Sequence, residues 1–343
     1  MTRISSARGF TLVEALVVLG IIAMLCMLLI PAQRGAREAA RRNNCSNGMR
    51  QLCLGVLNLE HATQRFPLAS YGSAIDKNGP VPMSDGDGHS AFVALLPYIG
   101  ETKLFDDISA VSDQFQEPIN SEKFLVGSGS GQQGSLWDEP VELLICPSFP
   151  GENNARAKYP GVSSPQVSNY QAMVAGCVEG SDQRVADSDP FVGGVLVTQA
   201  TSPEGLKLGD LKSGTSSAIL FAESRAEQWS GWFSGSSSMT VALPPDLVKR
   251  EDLIADKTDL DFLTVPDGVP SGLNYGRRID QKRTNTMFWE SKKDARDWGP
   301  SSAHNGDVVM HGYADGHVQA LNAGIDATVY LRLVSRNFSG NDD

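Results

Sequence analysis

The residues of this chain whose types could do acid, base or nucleophilic chemistry are few and poorly placed for catalysis. Ser301, Ser302 and His304 stand too close together in sequence to be read as a hydrolytic array. The chain also lacks a G-x-S-x-G nucleophile elbow, a phosphate-binding loop and a paired-histidine zinc helix. We therefore predict no catalytic residue, no cofactor and no enzymatic activity.

An Asp-Gly pair near the C-terminus predicts a tight hairpin. Asp315 and Gly316 lie between apolar-rich runs, and a two-residue hairpin turn needs positive φ at both of its central positions. The first role of this pair is therefore structural. His304 lies upstream of the hairpin, where it could meet an acid, and we expect it to make a hydrogen bond that anchors a turn.

The same hairpin decides whether two further histidines can share a metal ion. In the two-residue register Ala314 pairs with His317 and His311 pairs with Ala320, so the two histidines point to opposite faces. Because side chains on opposite faces cannot bind one ion, we predict no metal site.

Four cysteines could form disulfide bonds if the chain is exported. Cys45 and Cys53 are eight residues apart, which is about 12 Å along a helix and exceeds the roughly 7 Å Cα limit of a disulfide. Two pairings remain: Cys45 with Cys146 and Cys53 with Cys177, which we favour, or the crossed alternative. Free buried thiols would be the other outcome.

The element that positions these residues begins with an apolar segment. Residues 10–30 are apolar apart from Thr11 and Glu14, and about 20 such residues span a hydrocarbon core of about 30 Å as a helix. No small-residue cleavage site follows, and Pro31 leads into another helical stretch. These features favour an uncleaved membrane anchor, which also contains Cys26, over a secretory signal.

The helical pattern continues beyond the anchor. One face carries apolar or small residues with helical spacing: Cys45, Met49, Leu52, Cys53, Val56 and Leu57. We predict one helix from Phe10 to about Glu60. Residues 10–30 form its membrane half, residues 31–62 form its extracytoplasmic half, and residues 63–343 form a globular head domain.

Glu14 is the exception within the apolar segment, because a carboxylate there is unfavourable without a partner. Cleavage between Gly9 and Phe10 would create an α-ammonium four residues from Glu14. The run R-G-F-T-L-V-E resembles the type IV prepilin processing and methylation motif. The resemblance implies that a prepilin peptidase removes the leader, residues 1–9, and methylates Phe10, and that Glu14 guides subunit assembly.

The charge pattern alone would give a different topology. Two arginines precede the span and four follow it, although Lys and Arg normally stay inside. We give the motif precedence and expect a single-pass inner-membrane protein with a cytoplasmic N-terminus and a periplasmic or extracellular head. The net charge of -11, which becomes -13 without Arg3 and Arg8 of the leader, argues against nucleic acid as a partner.

Beyond Phe66, short apolar runs alternate with turn residues. This pattern predicts strands over residues 141–148, 169–176, 191–198 and 216–224. Asp326 predicts the N-cap of a closing helix within residues 325–337. We therefore expect an α+β fold in which the long N-terminal helix packs on a mostly antiparallel sheet, as in pilins.

The order of the segments resembles a bacterial family of exported, prepilin-like proteins, the domain of unknown function 1559. The segments that carry it are CSNGMRQLCLGVLNLEHATQRFP, ALLPYIGETKLFD, LLICPS, SNY, LGDLKSGTSSAILFAES and AHNGDVVMHGYADGHVQALN. The family's C-terminal His…Asp-Gly motif corresponds to His304, Asp315 and Gly316, with ten residues between His304 and Asp315. The resemblance implies a pseudopilin-like protein of type II secretion type.

We therefore expect a structural protein whose partners are prepilin peptidase, the inner membrane and other pseudopilins or secretion components. The alternative is a membrane-tethered extracytoplasmic module that binds a sugar, a peptide or calcium. The loop at residues 84–90 contains Asp85 and Asp87 but lacks the third oxygen ligand and the late Glu of a calcium loop. For that loop we expect a solvated turn.

Overall fold

The long N-terminal helix predicted from the apolar pattern is present. The computed structural model describes residues 12–72, 75–76, 79–80, 87–115, 117–126, 134–155, 159, 162–176, 193–199, 202–226, 230–243, 271–274 and 300–337, with residues 28–32, 34, 75–76, 79–80, 113 and 125–126 described by backbone only. The predicted leader and Phe10 lie outside these residues. Helix α1 runs from Leu12 to Thr63 without interruption. In the part of the chain that the structure describes, no helix combines the length and apolar character needed to cross a membrane.

Helix α1 ends at a left-handed residue. Gln64 has a φ of 61°, and its N–H donates to the Glu60 carbonyl at 2.6 Å. A left-handed residue directly after the last turn is a common helix stop, because it redirects the chain while satisfying a terminal carbonyl. The helix thus extends about one turn beyond its predicted end.

The described head contains two small hairpins and one larger sheet. Strands β1 (Ile75–Asp76) and β2 (Gly79–Pro80) pair, as do β3 (Leu125–Val126) and β4 (Gly134–Ser135). The larger sheet has the order β7-β5-β6-β8-β9, with β5 Tyr170–Ala175, β6 Ile219–Glu223, β7 Met239–Val241, β8 Val308–Tyr313 and β9 Val318–Asn322. Only the β5–β7 pair of this sheet is parallel. An α+β fold with a mostly antiparallel sheet is therefore confirmed.

Short helices complete the described fold. They are α2 (Ala91–Leu95), α3 (Thr102–Val111) and α4 (Ala327–Val334), with 3-10 turns at Leu96–Tyr98, Asp113–Phe115, Glu122–Phe124, Leu136–Asp138, Glu142–Leu144, Leu208–Asp210 and Thr215–Ser217. The predicted cap of α4 is confirmed, since the Asp326 carboxylate accepts the N–H groups of Thr328 and Val329 at 2.9 and 3.1 Å. These bonds satisfy two donors at the start of the helix.

The sheet lies between helices α1 and α4. Successive side chains of β8 point alternately to the two faces of the sheet and so contact the two helices in turn. Met310 belongs to the apolar cluster that contains the second half of α1, whereas Val309 and Tyr313 belong to the cluster around α4. Gly312 is the point of closest approach, because a Cβ there would lie 2.3 Å from Cys53 Sγ. Only glycine therefore lets α1 pack this closely on the sheet.

Two predicted strands are wrong in the described residues. Residues 141–148 form turns around the 3-10 segment Glu142–Leu144, and described residues 193–199 make isolated bridges instead of a strand. In residues 141–148 a side chain takes the place of a neighbouring strand as hydrogen-bond partner, since the Cys146 N–H donates to Asn169 Oδ1 at 2.9 Å. A short apolar run predicts burial more securely than it predicts a strand.

The predicted hairpin register is also wrong by one residue. Gly312 pairs with Val318, which leaves a three-residue loop. Gly316 has a φ of 89°, whereas Asp315 is not among the residues with positive φ. A three-residue loop with glycine in the left-handed position is a type I turn followed by a bulge. One positive φ suffices for that turn, so the two-residue form is not adopted.

The shifted register places His311 and His317 on the same face, contrary to the prediction. The Tyr313 N–H donates to the His317 carbonyl at 3.0 Å and their rings stack at 4.1 Å, while His311 lies two residues before Tyr313 and shares its face. The two histidines have separate partners. His311 Nε2 lies 2.9 Å from the Tyr330 hydroxyl, and His317 Nδ1 lies 2.5 Å from Asp315 Oδ1.

Candidate functional site

His304 lies buried between α1 and the sheet, where two carboxylates meet it. Its Nδ1 lies 3.0 Å from Glu38 Oε1 on α1, and its Nε2 lies 3.2 Å from Glu223 Oε1 on β6. The residue is 2% exposed. His304 therefore does more than anchor a turn, because it joins the long helix to the sheet.

Backbone and side-chain hydrogen bonds hold the imidazole in place. The His304 N–H donates to Ser302 Oγ at 3.0 Å, and the Ser302 N–H donates to Asn274 Oδ1 at 2.9 Å. Glu223 is fixed across the sheet, since its Oε2 accepts the Met310 N–H at 3.1 Å. One oxygen of Glu223 is thus used by the backbone and the other faces His304.

Glu38 is held from its own helix. Its Oε2 accepts from Arg41 Nη2 at 2.6 Å and from Arg41 Nε at 3.0 Å, so a guanidinium one turn away faces the oxygen that does not meet His304. Burial tends to raise the pKa of Glu38, but its bonds to His304 and Arg41 outweigh burial and lower that pKa. Glu38 is therefore an anion that accepts from both partners.

The charge state of His304 follows from its partners. Burial opposes the charged imidazolium, but hydrogen bonds and charges from Glu223 and then Glu38 outweigh burial and raise the pKa of His304. Both ring nitrogens can donate only in the imidazolium form. In this state the cluster is an ion-pair clamp between α1 and β6.

A disulfide bond borders the clamp. Cys45 on α1 is bonded to Cys146, and Cys146 Sγ lies 3.9 Å from His304 Nε2. The second bridge of the favoured pairing is not formed, because Cys53 is a buried free thiol. Cys177 lies outside the described residues. Burial, and then the charge of Asp315, raise the pKa of Cys53 to about 12, so it stays protonated.

Four potential metal ligands converge at this point, although the sequence predicted no metal site. Ligand atoms of Cys45, Cys146, Glu223 and His304 all lie within 4.8 Å of one another, and the residues are buried. The disulfide sulfurs are weak ligands, because metals bind the thiolate. While the disulfide is intact, the clamp is therefore an ionic contact and not a metal centre.

A small depression borders the same cluster. Cys146, Glu223, Asn169, Arg225 and Ser301 contribute to its lining. Its free space is about that of one water molecule, far below the roughly 300–1,000 Å³ of a ligand pocket, so it is too small for a sugar or a peptide. Asn169 Nδ2 is buried here without a hydrogen-bond partner. The depression suits a water molecule or an ion.

The other half of the C-terminal motif lies at the hairpin. Asp315 Oδ1 accepts the His317 N–H at 3.0 Å, and a Cβ at Gly316 would lie 3.3 Å from Leu57 Cδ1. Asp315 thus fixes the turn and Gly316 lets it rest on α1, while His304 has Glu38 and Glu223 as partners.

The remaining predicted residues are placed separately. Glu14 is exposed on the first half of α1, and Gly9 and Phe10 lie outside the described residues. Asp85 of the loop at 84–90 is also outside them. The Asp87 carboxylate is buried and accepts from Ser234 Oγ at 2.8 Å and from the Ser236 N–H at 3.1 Å. The prediction of a solvated turn is therefore wrong at Asp87.

Sequence reasoning missed Glu38 and Glu223. Glu223 carries a weak signal, because it is an acid at the end of the apolar run ILFA, residues 219–222. Glu38 carries none, since it lies among alanines and arginines on an exposed stretch of helix. Only the fold brings both to His304.

Comparison with known proteins gives two matches. A family model described as a protein of unknown function (DUF1559) matches residues 34–328. A model of the prokaryotic N-terminal methylation motif matches residues 4–30. No curated protein and no solved structure matches the chain.

Proposed function

The chain belongs to the DUF1559 family of proteins of unknown function, and from this premise we propose that it is a pseudopilin-like structural protein. In this proposal prepilin peptidase removes residues 1–9 and methylates Phe10. The processed chain is then anchored in the inner membrane by the first half of α1. The match to the N-terminal methylation motif supports the processing step.

The observation that carries the proposal is the contrast between the two halves of α1. Eleven of the fourteen large hydrophobic side chains that are exposed among the described residues lie within residues 12–27. Leu12 is 80% exposed and Met27 is 74% exposed, whereas Met49 and Val56 are 0% exposed. A contiguous exposed apolar surface of this kind marks a membrane or protein contact.

The exposed half fits lipid before assembly and neighbouring copies of α1 afterwards. Residues 12–30 measure about 28 Å at 1.5 Å per residue, close to a hydrocarbon core of about 30 Å. Glu14 lies near the end of this half, within reach of an α-ammonium at Phe10. Such an ion pair, within one chain or between copies, would set the stagger of neighbouring helices.

The proposed role of the head is structural and not catalytic. Both ring nitrogens of His304 face carboxylates, and the disulfide joins α1 to the head beside it. The first contact ties the second half of α1 to the sheet, and the disulfide ties it to the turn that contains Cys146. A rigid joint between helix and head is what a helix-anchored assembly subunit needs.

Membrane retention of the full chain tests the proposal. Cells that hold prepilin peptidase would express the wild type, Glu14→Gln and Gly9→Val, with bifunctional amine crosslinking of isolated membranes. We expect wild type to be processed, retained in membranes and crosslinked to copies of itself. Gly9→Val should remain unprocessed, and Glu14→Gln should be processed but poorly crosslinked.

The matched variants make the outcome decisive. Wild-type chains that leave the membrane fraction on high-salt washing would contradict the anchor. Glu14→Gln chains that crosslink as efficiently as wild type would contradict the assembly role of Glu14.

A further inference from the structure

The geometry points to a redox-gated zinc site: we propose that the dithiol form of this chain binds one Zn²⁺ through Cys45 Sγ, Cys146 Sγ, His304 Nε2 and Glu223 Oε1. One ligand atom from each of the four residues lies within 4.8 Å of the others in a buried cluster. The site does not depend on the proposed assembly role.

The donor set suits zinc. Zn²⁺ takes thiolate, imidazole and carboxylate ligands at about 2.0–2.3 Å in a tetrahedron, which places ligand atoms about 3.3–3.8 Å apart. His304 Nε2 already lies 3.2 Å from Glu223 Oε1 and 3.9 Å from Cys146 Sγ. The two sulfurs must separate to reach this spacing, and their Cα atoms are 5.1 Å apart.

Residues outside the four ligands complete the arrangement. A zinc-bound histidine usually donates its other ring N–H to a carboxylate, which fixes the tautomer. His304 Nδ1 faces Glu38 Oε1 at 3.0 Å. Glu223 Oε2 accepts the Met310 N–H, so Oε1 is the oxygen directed at the cluster. Glu38 is thus a positioning residue.

The oxidation state of the two sulfurs controls binding. A dithiol reductant transfers two electrons and two protons to the disulfide, giving two thiols, and leaves as its own cyclic disulfide. Zinc then displaces the two thiol protons and the proton on His304 Nε2, and all three pass to solvent. For release, a disulfide oxidant accepts the two electrons, takes up two protons from solvent and leaves as two thiols. The S–S bond of Cys45 and Cys146 reforms, His304 regains its proton and the ion leaves.

The small depression beside the cluster offers a path for the ion. Cys146 and Glu223 form part of its lining, and Asn169 Nδ2 has no hydrogen-bond partner there. Its free space is about that of one water molecule, so it admits a single small ligand and not a sugar or a peptide. Cys146 and Glu223 therefore lie at the edge of a space from which the ion can enter.

Zinc uptake by the purified full chain in detergent tests the site. Oxidised and dithiol-reduced samples, the latter desalted under argon, would be titrated with ZnCl₂ against a chromophoric chelator. CoCl₂ would report geometry through its ligand-field bands and thiolate charge-transfer band. We expect one ion per reduced chain, a tetrahedral thiolate spectrum, no uptake by the oxidised chain, and release on reoxidation.

Four variants separate the site from general thiol binding. His304→Ala and Glu223→Gln should lose the tetrahedral spectrum, and Glu38→Gln should weaken affinity by about 10–100-fold. Cys53→Ala removes the other described buried thiol and should bind like wild type. Near-UV circular dichroism would monitor folding in every sample.

Three outcomes would overturn the site. The first is equal uptake by oxidised and reduced chains. The second is wild-type affinity in reduced His304→Ala and Glu223→Gln. The third is a reduced wild-type chain that neither takes up zinc nor recovers its native near-UV spectrum when zinc is added.

Discussion

The two halves of helix α1 share one regular backbone but meet different surroundings. In residues 12–27 most of the large apolar side chains are exposed, whereas in residues 45–59 most of the apolar side chains are buried in the head. Among the described residues, the large apolar side chains of the first half are exposed and so call for an external partner. The second half is part of the head's core, so the two halves should respond oppositely to the same substitution.

The largest difference should come from the cysteines of the two halves. The Cys45–Cys146 bond closes a loop with a sequence separation of 101, and a loop of about 100 residues is worth about 4–5 kcal/mol in the chain-entropy account. We expect the double variant Cys45→Ala, Cys146→Ala to lose about 4 kcal/mol of unfolding free energy in urea. Cys26→Ala in the first half should lose nothing, and equal losses would break the comparison.

Matched leucine-to-alanine substitutions sharpen the comparison between the two halves of α1. Leu52 is 0% exposed, and Leu→Ala in a packed core costs about 2–5 kcal/mol. We expect Leu52→Ala to lower the unfolding free energy of the head by about 3 kcal/mol. Leu16→Ala, on the exposed half, should change it by less than about 0.5 kcal/mol. Near-UV circular dichroism during urea unfolding in detergent would measure both.

A charged substitution should affect the first half of α1 more than the second half, the reverse of the leucine truncations. Leu19→Asp places a carboxylate in the apolar half, where membrane insertion would lose about 3 kcal/mol. We expect this chain to shift from the membrane to the soluble fraction while its head keeps the wild-type unfolding transition. Leu54→Asp, at a partly exposed site in the second half, should remain in the membrane. Equal retention of both variants would contradict an anchor in the first half.

Acid unfolding should report the head and not the anchor. Burial lowers the pKa of His311 to about 4, and that of His89 likewise to about 4. Both pKa values lie below the ordinary 6.5, so the unfolded chain binds more protons between those limits and stability falls as pH drops from 6.5 toward 4. His304 has the opposite sign, since its pKa is raised: its contribution is full below 6.5 and is lost as pH rises through its folded value.

His311→Gln tests that assignment. Each buried neutral histidine contributes a slope of about 1.4 kcal/mol per pH unit within this window. We expect the variant to be less stable than wild type at neutral pH but to lose about 1.4 kcal/mol per pH unit less between about pH 6 and about pH 5. An unchanged slope would show that His311 does not remain neutral in the fold.

The sequence was a good guide where one periodic pattern decided the structure. The spacing of Met49, Leu52 and Val56 predicted the buried face of α1, and Asp326 predicted the cap of α4. The strand predicted over residues 141–148 was wrong because an apolar run can be buried without forming a strand. There the Cys146 N–H donates to the Asn169 side chain and not to a neighbouring strand. The predicted hairpin register was wrong by one residue because Asp-Gly also occurs in three-residue loops.

The site was less predictable than the fold. His304 was expected to anchor a turn, and nothing local to it identifies its partners. Glu38 lies 266 residues away and Glu223 lies 81 residues away. Only long-range packing of α1 against β6 and β8 brings these residues together. A local sequence pattern does not predict contacts between residues so far apart in the chain.

The N-terminus of the mature chain tests the central claim most directly. Intact and peptide mass spectrometry would be applied to the full chain purified from membranes of cells with active prepilin peptidase, with Gly9→Val alongside. The pseudopilin-like account predicts a chain that begins at Phe10 with one methyl group on its α-amine, and an uncleaved Gly9→Val. A wild-type chain that still begins at Met1 would contradict it.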